Sequence, residues 1–273
     1  MTMFDRDFTV SIYRELVHTL KDKVTFSTFE DYSKDPGNAV ILRHDVDKLP
    51  AKSLEFARIQ AELGIRASYY FRILPCSFDR DIIREIATLG HEIGYHYEDL
   101  ALAHGDVNSA IALFSKHLGM LREFYPVQTI CMHGSPTSKY DNRLLWKNHN
   151  YRDWGLTGEP YFDLDFNDIF YLTDTGRSWN GDKFSIRDRP MARQTTGEAE
   201  PTLHHAASRP VYRSTTDIIK AVREGSFPTP AMMTFHPQRW HNQAALWATE
   251  LVWQNTKNII KRQLRDQRDK NTR

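Results

Sequence analysis

The stretch AVILRHDVDKLP, residues 39–50, decides how the chain is read. Ala39 to Leu42 form an apolar run of strand type that leads straight into Arg43, His44, Asp45, Val46 and Asp47, and a helix start is signalled at Pro50. Side chains along a strand alternate faces, so Arg43, Asp45 and Asp47 point one way while His44 and Val46 point the other. Two carboxylates side by side repel, and the arrangement is costly unless a cation, a shared proton or a substrate lies between them. His44, on the opposite face, reads as a structural hydrogen-bonding group.

Outward from this stretch, strands and helices alternate. Residues 8–21 read as an opening helix and 50–63 as a helix ended by Gly64; 65–73 read as a strand and 79–90 as a helix. Then come a strand at 91–96, a long helix at 106–124, a strand at 127–133 and a short helix at 139–148. Two further strands are expected near 151–157 and at 169–175, followed by a helix at 215–225, a strand at 231–236 and a closing helix from 242 to about 266. This alternation predicts an α/β fold with a parallel sheet covered by helices, either open or closed into a barrel. Residues 188–213, rich in Pro, Gly, Thr and Ala, read as a long surface loop inserted into a single domain spanning 1–273. His204 and His205 within it are expected in solvent, and residues 266–273 read as a frayed charged tail.

Composition narrows the function classes. The 36 basic and 35 acidic residues nearly cancel, which speaks against nucleic acid as a partner. The two cysteines, Cys76 and Cys131, read as reduced buried thiols. No segment approaches the roughly 20 apolar residues of a membrane span, and the first residues, MTMFDRDFTVSIYREL, lack a signal-peptide apolar core. The expectation is a soluble, cytoplasmic protein.

Parallel α/β folds collect ligands at the C-terminal ends of their strands. Those ends here carry Asp45 and Asp47; His96, Glu98 and Asp99; His133; Asp174, Arg177 and Trp179; and His236, Arg239 and Trp240. Carboxylates with imidazoles at matched positions point to a divalent cation. A His/Asp site without thiolate suits Zn²⁺ and also accepts Co²⁺, Ni²⁺, Mn²⁺ or Fe²⁺. One aspartate would then bind the cation and the other accept a proton from water. Phosphoryl transfer is disfavoured, because no lysine or glycine-rich phosphate loop stands at the right strand ends. Tyr69, Tyr70 and Phe71 read as core and His91 as structural, while Trp179, Trp240 and Tyr97 are candidates for a wall that stacks on a sugar ring.

ILRHDVD, GHEIGYH, a motif after the fourth strand and the TFHP histidine occur in the order seen in the polysaccharide deacetylase family, carbohydrate esterase family 4, which the chain resembles as a divergent member over roughly residues 38–240. The resemblance implies a distorted seven-stranded (β/α) barrel and a metal-dependent deacetylase acting on the C–N bond of an N-acylated sugar, in surface-polysaccharide or lipopolysaccharide biosynthesis. It implies Asp45 as general base, Asp47 and His96 as metal ligands, and His236 as the group that protonates the departing amine. The family places a second ligand histidine four residues after the first, where this chain has Leu100. His133, Glu98 and His104 are the candidates for the missing ligand. Arg43 and Arg177 are candidates to hold Asp45 ionised, and Asp174 and Trp179 to support His236. Competing functions are hydrolysis of a non-sugar amide or formamide, and carbohydrate binding without catalysis.

Overall fold

The computed structural model describes residues 6–134, 138–179 and 210–271, with side chains through residue 259. The elements run α1 (Val10–Lys21), β1 (Thr25–Ser27), α2 (Phe29–Lys34), β2 (Ala39–Val46), α3 (Pro50–Glu62), β3 (Ser68–Phe71), α4 (Arg80–Thr88), β4 (Glu92–Tyr97), α5 (Asp99–Leu102), α6 (Val107–Arg122), β5 (Ile130–Met132), α7 (Pro160–Asp163), β6 (Phe170–Thr173), α8 (Thr215–Arg223), β7 (Ala231–Phe235) and α9 (Ala244–Asn271). All paired strands are parallel, in the order β5-β4-β3-β2-β7-β6, with β1 beside the first half of β2. Among the described residues no strand joins β5 to β6. The result is a parallel half-barrel of alternating helices and strands, consistent with a distorted (β/α) barrel. No described helix is long and apolar enough to cross a membrane.

β2 is the central strand, and every one of its eight residues is buried. It extends four residues past Leu42, because β3 and β7 supply ladder partners to Arg43 through Val46 and to Val40 through His44 respectively. Arg43, His44 and Asp45 therefore lie within the sheet, and Asp47 stands one residue past its end. On the outer face, Phe56 and Ile59 of α3, Ile83 and Ile86 of α4, and Phe114 and Leu118 of α6 pack the helices down. Inside, the Tyr70 ring crosses Gly94 of β4 so closely that an added Cβ would come within 2.3 Å of it. A glycine is required there for backbone and ring to approach.

Several elements differ from expectation. Residues 151–157 form no strand. Asn150 caps a 3-10 turn at Tyr151–Trp154, Gly155 closes it at φ +69°, and a single bridge from Gly158 to Thr129 is all the pairing that follows. The expected helix at 139–148 is a 3-10 turn at Asn142–Lys147. β1 and α2 go unforeseen because three and six residues are too few to establish a period. The closing helix runs on to Asn271. Cys131 is buried as expected, whereas Cys76 is exposed, and no disulfide forms. Residues 188–209 of the expected loop, with His204 and His205, lie outside the described residues.

His44 is structural. Its ring stacks on Tyr69 at 4.2 Å and Phe235 at 5.4 Å, one nitrogen faces the Ser68 carbonyl, and the other faces Tyr13 and Gln60. Burial lowers its pKa to about 3. The unfolded chain, with an ordinary histidine near ~6.5, then binds more protons than the native one between these values. This contribution is complete above ~6.5 and is lost as pH falls toward 3. His44→Phe should therefore flatten urea-unfolding stability between pH 7 and pH 5 by about 2 kcal/mol relative to the parent. An unaltered slope would show that His44 is not held neutral.

Candidate metal centre and active site

Each candidate side chain is delivered by a strand end. Asp45 lies within β2, and the Asp47 N–H donates to the Asp45 carbonyl at 3.0 Å in a tight three-residue turn that keeps both carboxylates over the same opening. β4 delivers His96. His133, the first residue after β5, is held beside β4 by its N–H donating to the Tyr97 carbonyl at 2.9 Å. His236 follows β7.

Three histidines share one tautomeric logic. His96 Nδ1 donates to the Cys131 carbonyl at 2.9 Å, His133 Nδ1 to Glu98 at 3.0 Å and His236 Nδ1 to Asp174 at 2.5 Å. Because each acceptor is an oxygen without a proton to give, the Nδ1 atoms carry hydrogen and the Nε2 lone pairs face inward. Asp47 Oδ1 lies 3.6 Å from His96 Nε2 and 3.5 Å from His133 Nε2, and it is buried with no hydrogen-bond partner among the described residues. Asp47, His96 and His133 each place one ligand atom within 4.8 Å of the others. Three electron-pair donors converging with no hydrogen among them fit a divalent cation of the Zn²⁺ type. A second trio, Asp45, His96 and Cys131, also meets that spacing, but both Asp45 oxygens are occupied by a guanidinium.

That guanidinium is Arg43, which donates to the two Asp45 oxygens at 2.8 and 2.7 Å. Burial works against the Asp45 charge, yet Arg43, His96 and His236 outweigh it and keep the carboxyl below its ordinary range. Asp47 behaves alike: burial opposes ionisation, and His133, His236 and His96 overcome it. Burial lowers the His96 pKa to about 4, against the pull of Asp45. His133 moves up despite burial, because Glu98 and Asp47 favour its proton. His236 Nε2 lies 3.9 Å from both Asp45 and Asp47. Behind it, Asp174 accepts from the His236 N–H at 2.9 Å, from Trp240 Nε1 at 2.7 Å and from Arg239 at 3.2 Å.

The alternatives for the third ligand separate on geometry. Both Glu98 oxygens are taken, by Arg72 at 2.7 and 2.8 Å and by His133, so Glu98 orients His133 rather than joining the trio. Burial opposes its charge, and the His133 and Arg72 hydrogen bonds still lower its pKa to about 2. His104 is exposed in the turn after α5 and outside the cluster. Leu100, on α5, is buried in the apolar core and offers no ligand atom.

Other expectations need correction. Arg177 does not hold Asp45. The chain after β6 turns through left-handed Gly176 and Arg177, and the guanidinium packs on Trp247 and Phe8 instead. Trp179, Trp240 and Tyr97 cannot form a sugar wall, because all three are buried at 2% exposure or less. Trp179 donates to Thr215 and stacks on Phe8, so the indole that supports Asp174 is that of Trp240. His91 is structural as expected, facing the Ala57 carbonyl and accepting from the Ala67 N–H.

Sequence reasoning missed Arg72. It stands just past β3, so the strand-end rule applied to that strand would have found it. Besides clamping Glu98, it donates to the Asp47 carbonyl at 3.2 Å, tying Asp47 to the carboxylate that orients His133. Asn142 was missed as well; it holds the His133 carbonyl at 3.0 Å.

No family model and no curated protein matches the chain. Among solved structures it is similar to a CE4 esterase from Streptococcus mutans, at 12% identity and a TM-score of 0.40, over 87% of this chain and 88% of that one. A superposition that loose leaves residue correspondence undefined and assigns no role to any side chain here.

The ligand geometry is open to direct measurement. In equilibrium dialysis against Zn²⁺, Asp47→Ala, His96→Ala and His133→Ala should each lose the bound equivalent. Glu98→Gln should keep the stoichiometry and bind ~10–100-fold more weakly. Parent-like binding by His133→Ala would place the third ligand elsewhere.

Proposed function

We propose that the chain is a metal-dependent hydrolase that removes an acyl group, N-acetyl in the first instance, from an amino sugar used in surface-polysaccharide biosynthesis. The observation that carries the hydrolase reading is the unpartnered Asp47 Oδ1 facing two imidazole lone pairs, with Asp45 Oδ2 3.8 Å from His96 and 3.9 Å from His236. That convergence argues against a carbohydrate-binding protein that has lost its metal site.

Asp47, His96 and His133 would hold the divalent cation, which when bound would supply Lewis acidity toward an acyl carbonyl and a water near neutral pH. The chain's own groups divide the proton work. Asp45, kept ionised by Arg43, accepts the proton of the attacking water. Arg43 is itself held beneath the site between the Tyr70 and Tyr161 rings, at 5.9 and 5.4 Å. His236 acts in its imidazolium form: a second proton, taken from solvent onto Nε2 before turnover, passes to the departing nitrogen, while Asp174 orients the ring and stabilises its charge, and Asp45 returns the water's proton to solvent afterwards.

The sugar assignment rests on the order of ILRHDVD, GHEIGYH and TFHP, since the aromatic wall expected for a pyranose is buried. A non-sugar amide is therefore the competing substrate. Acetate release measured across acetylated sugar nucleotides, N-acetylated oligosaccharides and simple amides separates the two, and turnover restricted to simple amides would overturn the sugar reading. With the preferred substrate, Asp45→Asn should lower kcat by ~10²–10⁴-fold while the cation stays bound. His236→Ala should lower kcat over the same range with unchanged metal affinity. Loss of metal in Asp45→Asn would mean that the two aspartates have exchanged roles.

A further inference from the structure

The residue after the HP dipeptide of the last strand is Gln238, on the 3-10 turn Pro237–Arg239, and the chemistry above gives it no part. Its side chain is buried at 3% exposure. Its amide nitrogen donates to Asp47 Oδ2 at 3.2 Å, and its amide oxygen is buried with no hydrogen-bond partner among the described residues. The direction of the amide follows from the contact, because turning it over would set an oxygen lone pair against a carboxylate.

This bears on how Asp47 can act as a ligand. A carboxylate can offer a cation one oxygen or both, and its plane turns easily about the Cβ–Cγ bond. Here the two oxygens are differentiated. Oδ2 takes the Gln238 hydrogen bond, while Oδ1 takes none and faces His96 and His133. The Asp47 backbone is pinned separately, its carbonyl accepting from Arg72 and from the Cys76 thiol. Backbone anchors fix where Asp47 starts, but only a contact to the carboxylate selects which oxygen points inward.

We propose that Gln238 is a positioning residue that holds Asp47 Oδ2 and so commits Oδ1 alone to the cation, keeping the trio one-pointed and leaving coordination positions open. The proposal rests on the metal-site reading above. It also accounts for the buried amide oxygen, which is left unpaired by the orientation that the nitrogen must keep. Such an orphan is a cost tolerated at sites where the other end of the group has a function.

The test uses Co²⁺ alone, whose visible absorption is stronger in four-coordinate than in five-coordinate sites. The parent should bind one equivalent with the stronger spectrum. Gln238→Met keeps bulk and burial but releases Oδ2. It should bind Co²⁺ ~10–100-fold more weakly, in the range found when a group that orients a ligand is removed, and its visible band should weaken as both Asp47 oxygens reach the ion. A merely structural glutamine would leave that band unchanged. Should Gln238→Met fail to fold by circular dichroism, Gln238→Leu also removes the donor without adding a charge or a ligand atom, and the same alteration of the band is expected. A parent-like band and affinity in the folded variant would overturn the positioning role with the metal site intact. A parent that binds no Co²⁺ would overturn both it and the reading on which it rests.

Discussion

Two acids two residues apart at the end of one buried strand repel each other, and the centre of this molecule is arranged around resolving that repulsion in two different ways. Asp45 is neutralised from its own strand, by an Arg43 guanidinium that takes both oxygens. Asp47 receives no permanent cation; it faces two histidine lone pairs and keeps one oxygen unpaired. A buried arginine–carboxylate pair contributes little net stability by itself, because desolvation offsets much of the attraction. What it fixes here is charge state. Asp45 stays anionic without drawing on the group that Asp47 would hold, so the two carboxylates can serve different purposes within one opening.

The surrounding structure follows from that division. The strand that carries both acids must be central, since each of its edges needs a neighbour to satisfy the backbone where polar side chains displace apolar packing. Strands β3, β4 and β7, its neighbours and next neighbour, deliver Arg72, His96 and His236. Each imidazole is then aimed by an acceptor behind it: a carbonyl for His96, Glu98 for His133 and Asp174 for His236. Position 100 is turned into the core, and the Arg72–Glu98–His133 chain sets an imidazole from the end of β5 facing Asp47.

Much of this was legible in the sequence, and the rest was hidden for identifiable reasons. Parallel alternation and strand-end placement located Asp45, Asp47, His96, His133 and His236, because both are one-dimensional signals. Strand alternation put Arg43 on the face of Asp45 but left it and Arg177 as alternative partners. Glu98 was harder to place. It comes two residues after His96, but the strand stops at Tyr97 and Glu98 leaves the extended region at φ −145°, ψ 24°, so alternation no longer says where it points. Arg177 was lost to a left-handed turn that its neighbours did not announce beyond a single glycine. The aromatics Trp179, Trp240 and Tyr97 stand at the right strand ends, yet whether a ring there faces solvent or core depends on the N-terminal residues, such as Phe8, and on 3-10 turns far along the chain. No local pattern carries that information.

The central claim is that Asp47, His96 and His133 form a nitrogen–oxygen site for a divalent cation. X-ray absorption at the zinc edge of the Zn²⁺-loaded protein tests it most directly, because it reads stoichiometry and donor type together. The account predicts one zinc per chain with nitrogen and oxygen neighbours at ~2.0–2.1 Å and no sulfur. A sulfur shell at ~2.3 Å would move the ion to Asp45, His96 and Cys131, and a protein that retains no zinc would remove the hydrolytic reading altogether.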